Sequence, residues 1–384
     1  MKLRIPDFYD KFKCKAGDCT DTCCYGWEID IDERTRERYA ALASEPGERG
    51  LFGKKILQAI DGGHFRLDAS DRCPLLRKDG LCELICNLGV NGSDIDESGK
   101  SVLCDICREH PRFVEIYGDL MEKGLGLCCE EAVRLLLDCD GSETAPIRFL
   151  EREIGDEPDE IPPEVEHARN SILQEREEIF SILADRSVPL NRRLVAILDF
   201  AESIDAGFAS PERAAPGAAS PENGTVPNVD GIAQAWVDTL AEGEVDYAEW
   251  EYAIARIKSA GPSNLTAGPS KIKKGTLTES DGERIVAYMI FRYYAKSLFD
   301  GDSIGKVKFA IFFWLVLQRF ENELAGDTID ESRKSRTSAK IDAVKLLSKQ
   351  IEYSDEVMDA LNEKFCGDPA FSTESFRRIL SGEQ

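Results

Sequence analysis

Twelve of the thirteen cysteines in this 384-residue chain fall before residue 140. They come in clusters: Cys14, Cys19, Cys23 and Cys24; Cys73, Cys82 and Cys86; Cys104 and Cys107; Cys128, Cys129 and Cys139. A thiolate is a nucleophile and a soft metal ligand, and packing alone seldom gathers so many in one third of a chain. Disulfides do not persist in a reducing cytosol, and the odd cysteine count also argues against a disulfide framework. Free buried thiols account for Cys139, Cys366 and one or two more, because a thiol packs as a small apolar group. They do not account for Cys23 next to Cys24, or for Cys104 and Cys107 separated by two residues. Metal binding does, because close spacing brings two sulfurs to one centre at little cost in loop closure.

The spacing Cys104-x2-Cys107 is that of a metal knuckle; Cys19-x3-Cys23 and Cys82-x3-Cys86 are looser versions. The regular double knuckle of zinc sites is missing. Histidine is scarce, with His64, His110 and His167 the whole supply. An all-cysteine centre follows, and softness and thiol number favour iron–sulfur over zinc. His110, beside Pro111, and His64, after Gly62 and Gly63, read as structural.

Around these residues the expected fold is mainly α, with an irregular cysteine-rich metal-binding module that has short strands, followed by an α-helical domain. The module is placed at 1–140, an acidic, proline-rich connector at 141–164, and the helical domain at 165–384, with a flexible insertion near 204–230 rich in Ala, Pro, Gly and Ser. In the module, Trp27 to Ile31 alternates like a short strand, and Asp32 caps a helix running through Tyr39. Phe113 to Tyr117, then Gly118 and Asp119, then Leu120 onward reads as a hairpin. Glu130 to Leu137 reads as a helix with acidic residues at its positive end. Apolar stripes predict helices at Ile172–Leu183, Leu190–Leu198, Val286–Tyr293, Ser338–Ile351 and Ser372–Leu380. The run from Phe309 to Phe320 is apolar on most faces and predicts a central core helix.

A formal charge of −24 repels phosphate backbones and anionic lipid, which argues against nucleic acid and membrane partners. The start, MKLRIPDFYDKF, lacks a signal-peptide core, and the longest apolar run, Phe309 to Leu317, is well short of the roughly 20 residues that span a bilayer. The expectation is a cytoplasmic protein. Walker, H-E-x-x-H and G-x-S-x-G motifs are absent, and no G-x-G-x-x-G follows a predicted strand. The C-x3-C-x2-C run of radical enzymes fails twice, because Gly89 and Gly26 stand where its last cysteine belongs.

The order of the blocks resembles the flagellin lysine-N-methylase family: CTDTCCYGW at 19–27, CPLL at 73–76, LCEL at 81–84, LCDICREHPR at 103–112, and CEEAVR at 129–134. The N-terminal part is similar to the broader CxxCxxCC group of zinc- or iron-chelating proteins. FRYYAK at 291–296 and FDGD at 299–302 also look like the methylase family. The likeness covers residues 3–136 well and about 280–320 more loosely. The family commonly carries Cys-Pro-Glu where this chain has Cys129, Glu130 and Glu131, with Cys128 just before. Which of the two cysteines is the ligand is thereby left open.

The resemblance implies an S-adenosylmethionine-dependent protein lysine N-methyltransferase with a [4Fe–4S] cluster. Its partner would be a protein bearing surface lysines, flagellin being one such substrate. The matched blocks imply the ligand set Cys19, Cys23, Cys24, Cys73, Cys82, Cys104, Cys107 and Cys129. Cys14, Cys86, Cys128 and Cys139 are secondary, and eight thiols leave room for a second metal, zinc or iron, beside a four-thiolate cluster. A cationic donor and a lysine acceptor suit an acidic, aromatic pocket, for which Trp27, Tyr293, Tyr294 and Asp300 are candidates; helix core is the plain alternative for the tyrosines. Arg292 is a candidate for the donor carboxylate, or equally a salt bridge. Arg108 and Arg112 are candidates to offset cluster charge. Two rival functions stay open: a non-enzymatic zinc- or iron-binding or cluster-assembly protein, and an iron–sulfur redox protein.

Overall fold

The computed structural model describes residues 1–20, 22–137, 146–155, 161–207, 225–243, 248–260, 277–325 and 333–382. Chain contacts divide it into two units. One comprises Met1–Lys11, Val114–Cys128 and Val133–Gln384; the other comprises Phe12–Phe113 with Cys129–Ala132. The sequence reading drew its boundary at residue 140. By contacts, the first strand and most of the hairpin go with the helices instead. Cys139 and most of the 204–230 insertion lie outside the described residues.

The helical unit carries a four-stranded sheet. Its strands are β1 (Lys2–Pro6), β4 (Arg112–Tyr117), β5 (Leu120–Leu125) and β6 (Phe149–Glu153), in the order β4-β5-β1-β6. The pair β2 (Ile60–Asp61) and β3 (His64–Phe65) belongs to the other unit. β1 runs parallel to β5, with Leu3 opposite Met121, and antiparallel to β6, with Arg4 opposite Glu151. The expected hairpin is present. Gly118 turns it at φ 71°, a left-handed conformation that a side chain would strain. β6 lies inside the stretch read as a connector.

The apolar run forms the helix Ser303–Ala325, in which Val307, Ala310, Ile311, Phe312, Phe313, Val316 and Leu317 are fully buried. A helix apolar all round must be covered on all sides. Leu190–Gly207, Glu279–Tyr293 and Arg333–Glu352 pack around it. Trp236, Phe312, Phe365, Phe371 and Phe376 pack as tilted and edge-on rings, and Trp236 Nε1 donates to the Ala370 carbonyl at 2.9 Å. Buried charge is paired: Arg176 donates to both oxygens of Glu122, at 2.8 and 2.5 Å, and joins the helix Pro163–Ala184 to β5. Among the described residues, no helix is long and apolar enough to cross a membrane.

The cysteine-rich unit is built differently. Its long helices are only Glu33–Ala43 and Gly47–Gln58, packed on each other. The short helices Glu83–Leu88 and Asp105–Glu109 begin directly after Cys82 and Cys104, which are their N-caps. Asp32 caps the first helix as expected, accepting from Thr35 N at 2.9 Å. Its other oxygen accepts the Asp105 N–H, also at 2.9 Å. One carboxylate therefore begins two helices, the second of them immediately after Cys104.

Candidate metal centre

The backbone of this unit is arranged to present sulfur. Cys73 N donates to the Cys24 carbonyl at 2.9 Å, which ties two distant blocks together. Leu76 N then bonds back to Cys73 O and Glu83 N to Leu75 O, so the chain from 73 to 83 closes on itself. Tyr39 holds the strip before Cys104 by donating to the Val102 carbonyl at 3.0 Å, and Arg38 donates to the Ser101 carbonyl.

The thiols of Cys24, Cys73, Cys82, Cys104 and Cys107 meet in one apolar cluster with Ile29, Phe65, Leu75, Leu84 and Val102. Cys104 is fully buried and Cys73 nearly so. Backbone N–H groups bond to their sulfurs: Leu75 to Cys73, Leu84 and Ile85 to Cys82, and Cys107 to Cys104. Such bonds favour the thiolate. Burial opposes it, pushing the Cys73 thiol up to about 12 and Cys82 up to about 11. Two thiols behave as donors. The Cys107 S–H hydrogen-bonds to Cys104 and holds it below the ordinary thiol range, and the Cys23 S–H does the same for Cys24, which falls to about 7. Buried thiols with N–H donors already aimed at them fit a cationic centre. A bound metal removes their protons outright and compensates the desolvated charge. Four cysteines would hold a [4Fe–4S] cluster, and five are on hand.

The remaining N-terminal thiols lie outside this core. Cys23 lies in the electrostatic neighbourhood of Cys14 and Cys129, and Lys15 in that of Cys19. Glu130 organises this second group: its carboxylate takes Lys15 Nζ and both the N–H and the hydroxyl of Thr20. Against its own burial, those donors hold the Glu130 carboxyl below its usual range. Cys128 and Cys129 have different surroundings. Cys128 accepts from the Tyr353 hydroxyl in the helical unit, where burial raises its thiol to about 11, whereas Cys129 is a neighbour of Cys23. Cys86 is exposed and bonded to Arg77. Exposed Cys366 sits on the helix Asp355–Gly367, and none of the described cysteines is in a disulfide.

The other expected site residues separate. Trp27 packs against the inner cysteine cluster, donates to the Cys23 carbonyl and stacks on His110 at 5.6 Å. Arg108 is paired with Asp105 and Glu109 at 3.0 and 2.9 Å, and Arg112 lies over the Phe12 ring. These partners are carboxylates and a ring, not the sulfurs. In the helical unit, Arg292 and Tyr293 converge on Glu352, each at 2.8 Å from Oε1. The Glu352 side chain is wholly buried, and among the described residues its Oε2 has no hydrogen-bond partner. Tyr353 completes the group, with Arg292 5.6 Å from its ring centre. Tyr294 donates instead to Glu175 at 3.1 Å, and Asp300 is an exposed partner of Lys306 at 2.6 Å. No contact brings Asp300 to Tyr293.

Sequence reasoning missed Glu352, which looks like any acidic helix end until its burial is seen. It also missed a cleft of about 470 Å³ lined by Lys2, Arg4, Asp119, Phe149, Glu151 and Arg169. The charges there largely satisfy one another, Arg169 with Asp119 and Arg4 with Glu151 and Glu177. Glu28, Asp30 and His64 also bring three hard donors within 4.8 Å, at the surface and without sulfur.

A mainly helical unit and a thiol-rich unit define the class of protein. Known proteins narrow it. The chain is 29% identical over 140 residues to the flagellar biosynthetic protein FliU of Salmonella muenchen, a match covering 35% of this chain and 77% of FliU. The same identity over the same length links it to the lysine-N-methylases of Salmonella typhimurium and Salmonella choleraesuis, with 32% of each of those proteins covered. The match thus spans about a third of the lysine-N-methylases' length. These similarities support a distant relationship to the lysine-N-methylases. No family model matches the chain, and no solved structure does.

Proposed function

We propose that this protein is an S-adenosylmethionine-dependent protein lysine N-methyltransferase that carries an iron–sulfur cluster on its inner cysteine set. The observation that carries the reading is the convergence of Cys24, Cys73, Cys82, Cys104 and Cys107 in one buried cluster, in a chain similar to proteins named lysine-N-methylase. Four of these thiolates would ligate the cluster. When bound, it would supply a redox-capable, net-charged centre in an apolar setting.

Methyl transfer to lysine requires a neutral amine, and free lysine titrates near about 10.4. Among the described residues Glu352 Oε2 is a buried acceptor with no hydrogen-bond partner, and the Tyr293 hydroxyl donates to its Oε1. A carboxylate beside tyrosines can pair with an ammonium or a sulfonium and hold the proton an amine gives up. Arg292 pairs with Oε1 of this carboxylate at 2.8 Å. Holding donor and acceptor in line then provides much of the acceleration. Flagellin is the first substrate to try, given the names of the relatives.

Anaerobic purification with iron analysis, visible absorption and adenosylmethionine titration tests the proposal, together with transfer of labelled methyl groups to flagellin. Broad visible absorbance, bound iron, donor binding and label on lysine are expected. Bound zinc without colour would remove the cluster; a cluster without donor binding would favour the redox or metal-handling alternatives.

A further inference from the structure

The sheet of the helical unit ends on an open edge. β6 is the last strand in the order β4-β5-β1-β6, and among the described residues β1 is its one neighbour. Asp7 N bonds to Arg148 O and Ile154 N to Met1 O, with Leu3 opposite Arg152 and Ile5 opposite Leu150 between them. Antiparallel ladders alternate, so Leu150 and Arg152 turn their N–H and C=O groups toward β1. Phe149, Glu151 and Glu153 turn theirs outward. Leu150 to Glu153 are all exposed, so nothing covers that edge.

The cleft adjoins the same strand. Phe149 and Glu151 line it from β6, and Glu177 lines it from the helix Pro163–Ala184. Its charges pair, but they are sorted by depth. The side chains of Arg4 and Arg169 are 9% and 7% exposed, whereas those of Glu151, Glu177 and Asp119 are 54%, 53% and 51% exposed. An incoming group therefore meets carboxylates first, with the arginines behind them. Lys2 is the exposed cation of the lining and stands opposite Glu153. Phe149, fixed by stacking on Phe180 and Phe291, gives the cleft an apolar wall.

We infer that the outer edge of β6 takes up an extended segment of a protein partner as a fifth strand, with a lysine of that segment lying over the cleft against Glu151 and Glu177. Strand addition supplies main-chain hydrogen bonds, and alternate side chains of the added strand supply selectivity. The residue set opposite Glu151 shares its face, so a cation there gains a partner, and its methylene stem lies along the Phe149 side of the cleft. A second copy, pairing antiparallel about this position, would set Glu151 against Glu151, and like charges directly opposite are destabilising. The choice of lysine over arginine rests on the proposed methylation; the strand addition does not.

Titration of the full chain with a short fluorescent peptide of alternating lysine and threonine tests the inference by anisotropy. Glu151→Pro removes an outward N–H and a charge but no bond to β1, and should weaken binding about tenfold. Glu151→Gln keeps the N–H and should weaken it about threefold. Glu48→Gln, an exposed change in the other unit, should leave it unchanged. In the wild-type chain the peptide should slow amide exchange at Glu151 and Glu153 and alter Leu150 and Arg152 little, which decides the matter if Glu151→Pro does not fold. Equal binding by Glu151→Pro, equal binding of a peptide methylated on alternate backbone nitrogens, no peptide binding, or no new protection would each overturn the inference. So would a wild-type dimer that Glu151→Pro makes monomeric, which would assign the edge to a second copy. With flagellin as substrate, Glu151→Gln should raise KM and leave kcat unchanged. Docking without methyl transfer removes the proposed function and keeps the edge site; transfer with unchanged KM does the reverse.

Discussion

The two units solve the same problem by different means. The helical unit surrounds one wholly apolar helix and fills the space with aromatic rings, so its stability comes from area removed from water. The cysteine-rich unit has two helices of ordinary length, a two-residue strand pair and a small core in which thiols replace larger side chains. A core that small is marginal without a staple. On the proposed reading, metal would be part of the fold in one unit and irrelevant to it in the other.

The largest expected effect breaks the comparison open. Removing metal with a chelator, under reducing and anaerobic conditions, should cost the cysteine-rich unit on the order of 10 kcal/mol of binding free energy that it uses to fold. Limited proteolysis should then cut within residues 12–113 while the helices from 163 onward stay protected. Equal resistance in both units would mean that the thiols are ordinary packing.

The converse substitution is next in size. Phe312→Ala empties a fully buried position touching Trp236, Phe365 and Phe371 and should cost about 3–5 kcal/mol in urea unfolding. Metal content per folded chain should not change; a fall in bound iron at equal folding would show that the units are not separate in stability.

The smallest effect is electrostatic. Burial, with Asp302 adding repulsion, pushes the Asp205 carboxyl up to about 6. Below about pH 4 both folded and unfolded chains hold its proton. Between about 4 and 6 the unfolded chain releases it first, so the folded state loses stability as pH rises, and above about 6 the loss is constant. Asp205→Asn should therefore stabilise the helical unit at pH 7 by about 1 kcal/mol, a figure reduced because the side chain is partly solvated. The gain should vanish near pH 4, as urea midpoints at the two pH values would report.

What the sequence revealed follows the range of the interaction. Asp32 as a cap, the turn at Gly118 and Asp119, and the helix after Cys129 depend on neighbours a few residues away, and all are present. The central helix was legible because no other element tolerates so long an apolar run. The helix Gly47–Gln58 was not, because Gly50 and Gly53 read as breakers. Their glycines serve packing: a Cβ on Gly53 would lie 2.4 Å from Ala43 N, on the neighbouring helix. β1 was missed because its partners begin at residues 120 and 149. For the candidate site, the eight sulfurs were visible in the matched blocks, but their division was not. Cys24 packs on the core while Cys23, bonded to it, is more exposed, and only the hydrogen bonds of Glu130 and Cys73 show which way each chain segment turns.

The double cap at Asp32 also joins a local contact to a distant one. Its bond to Thr35 is local and closes as soon as the first helix forms. Its bond to Asp105 spans 73 residues and carries the larger loop-closure entropy. The start of the helix after Cys104 is thus held by a carboxylate that the first helix already fixes in place, so loosening that cap would loosen the Cys104–Cys107 turn with it.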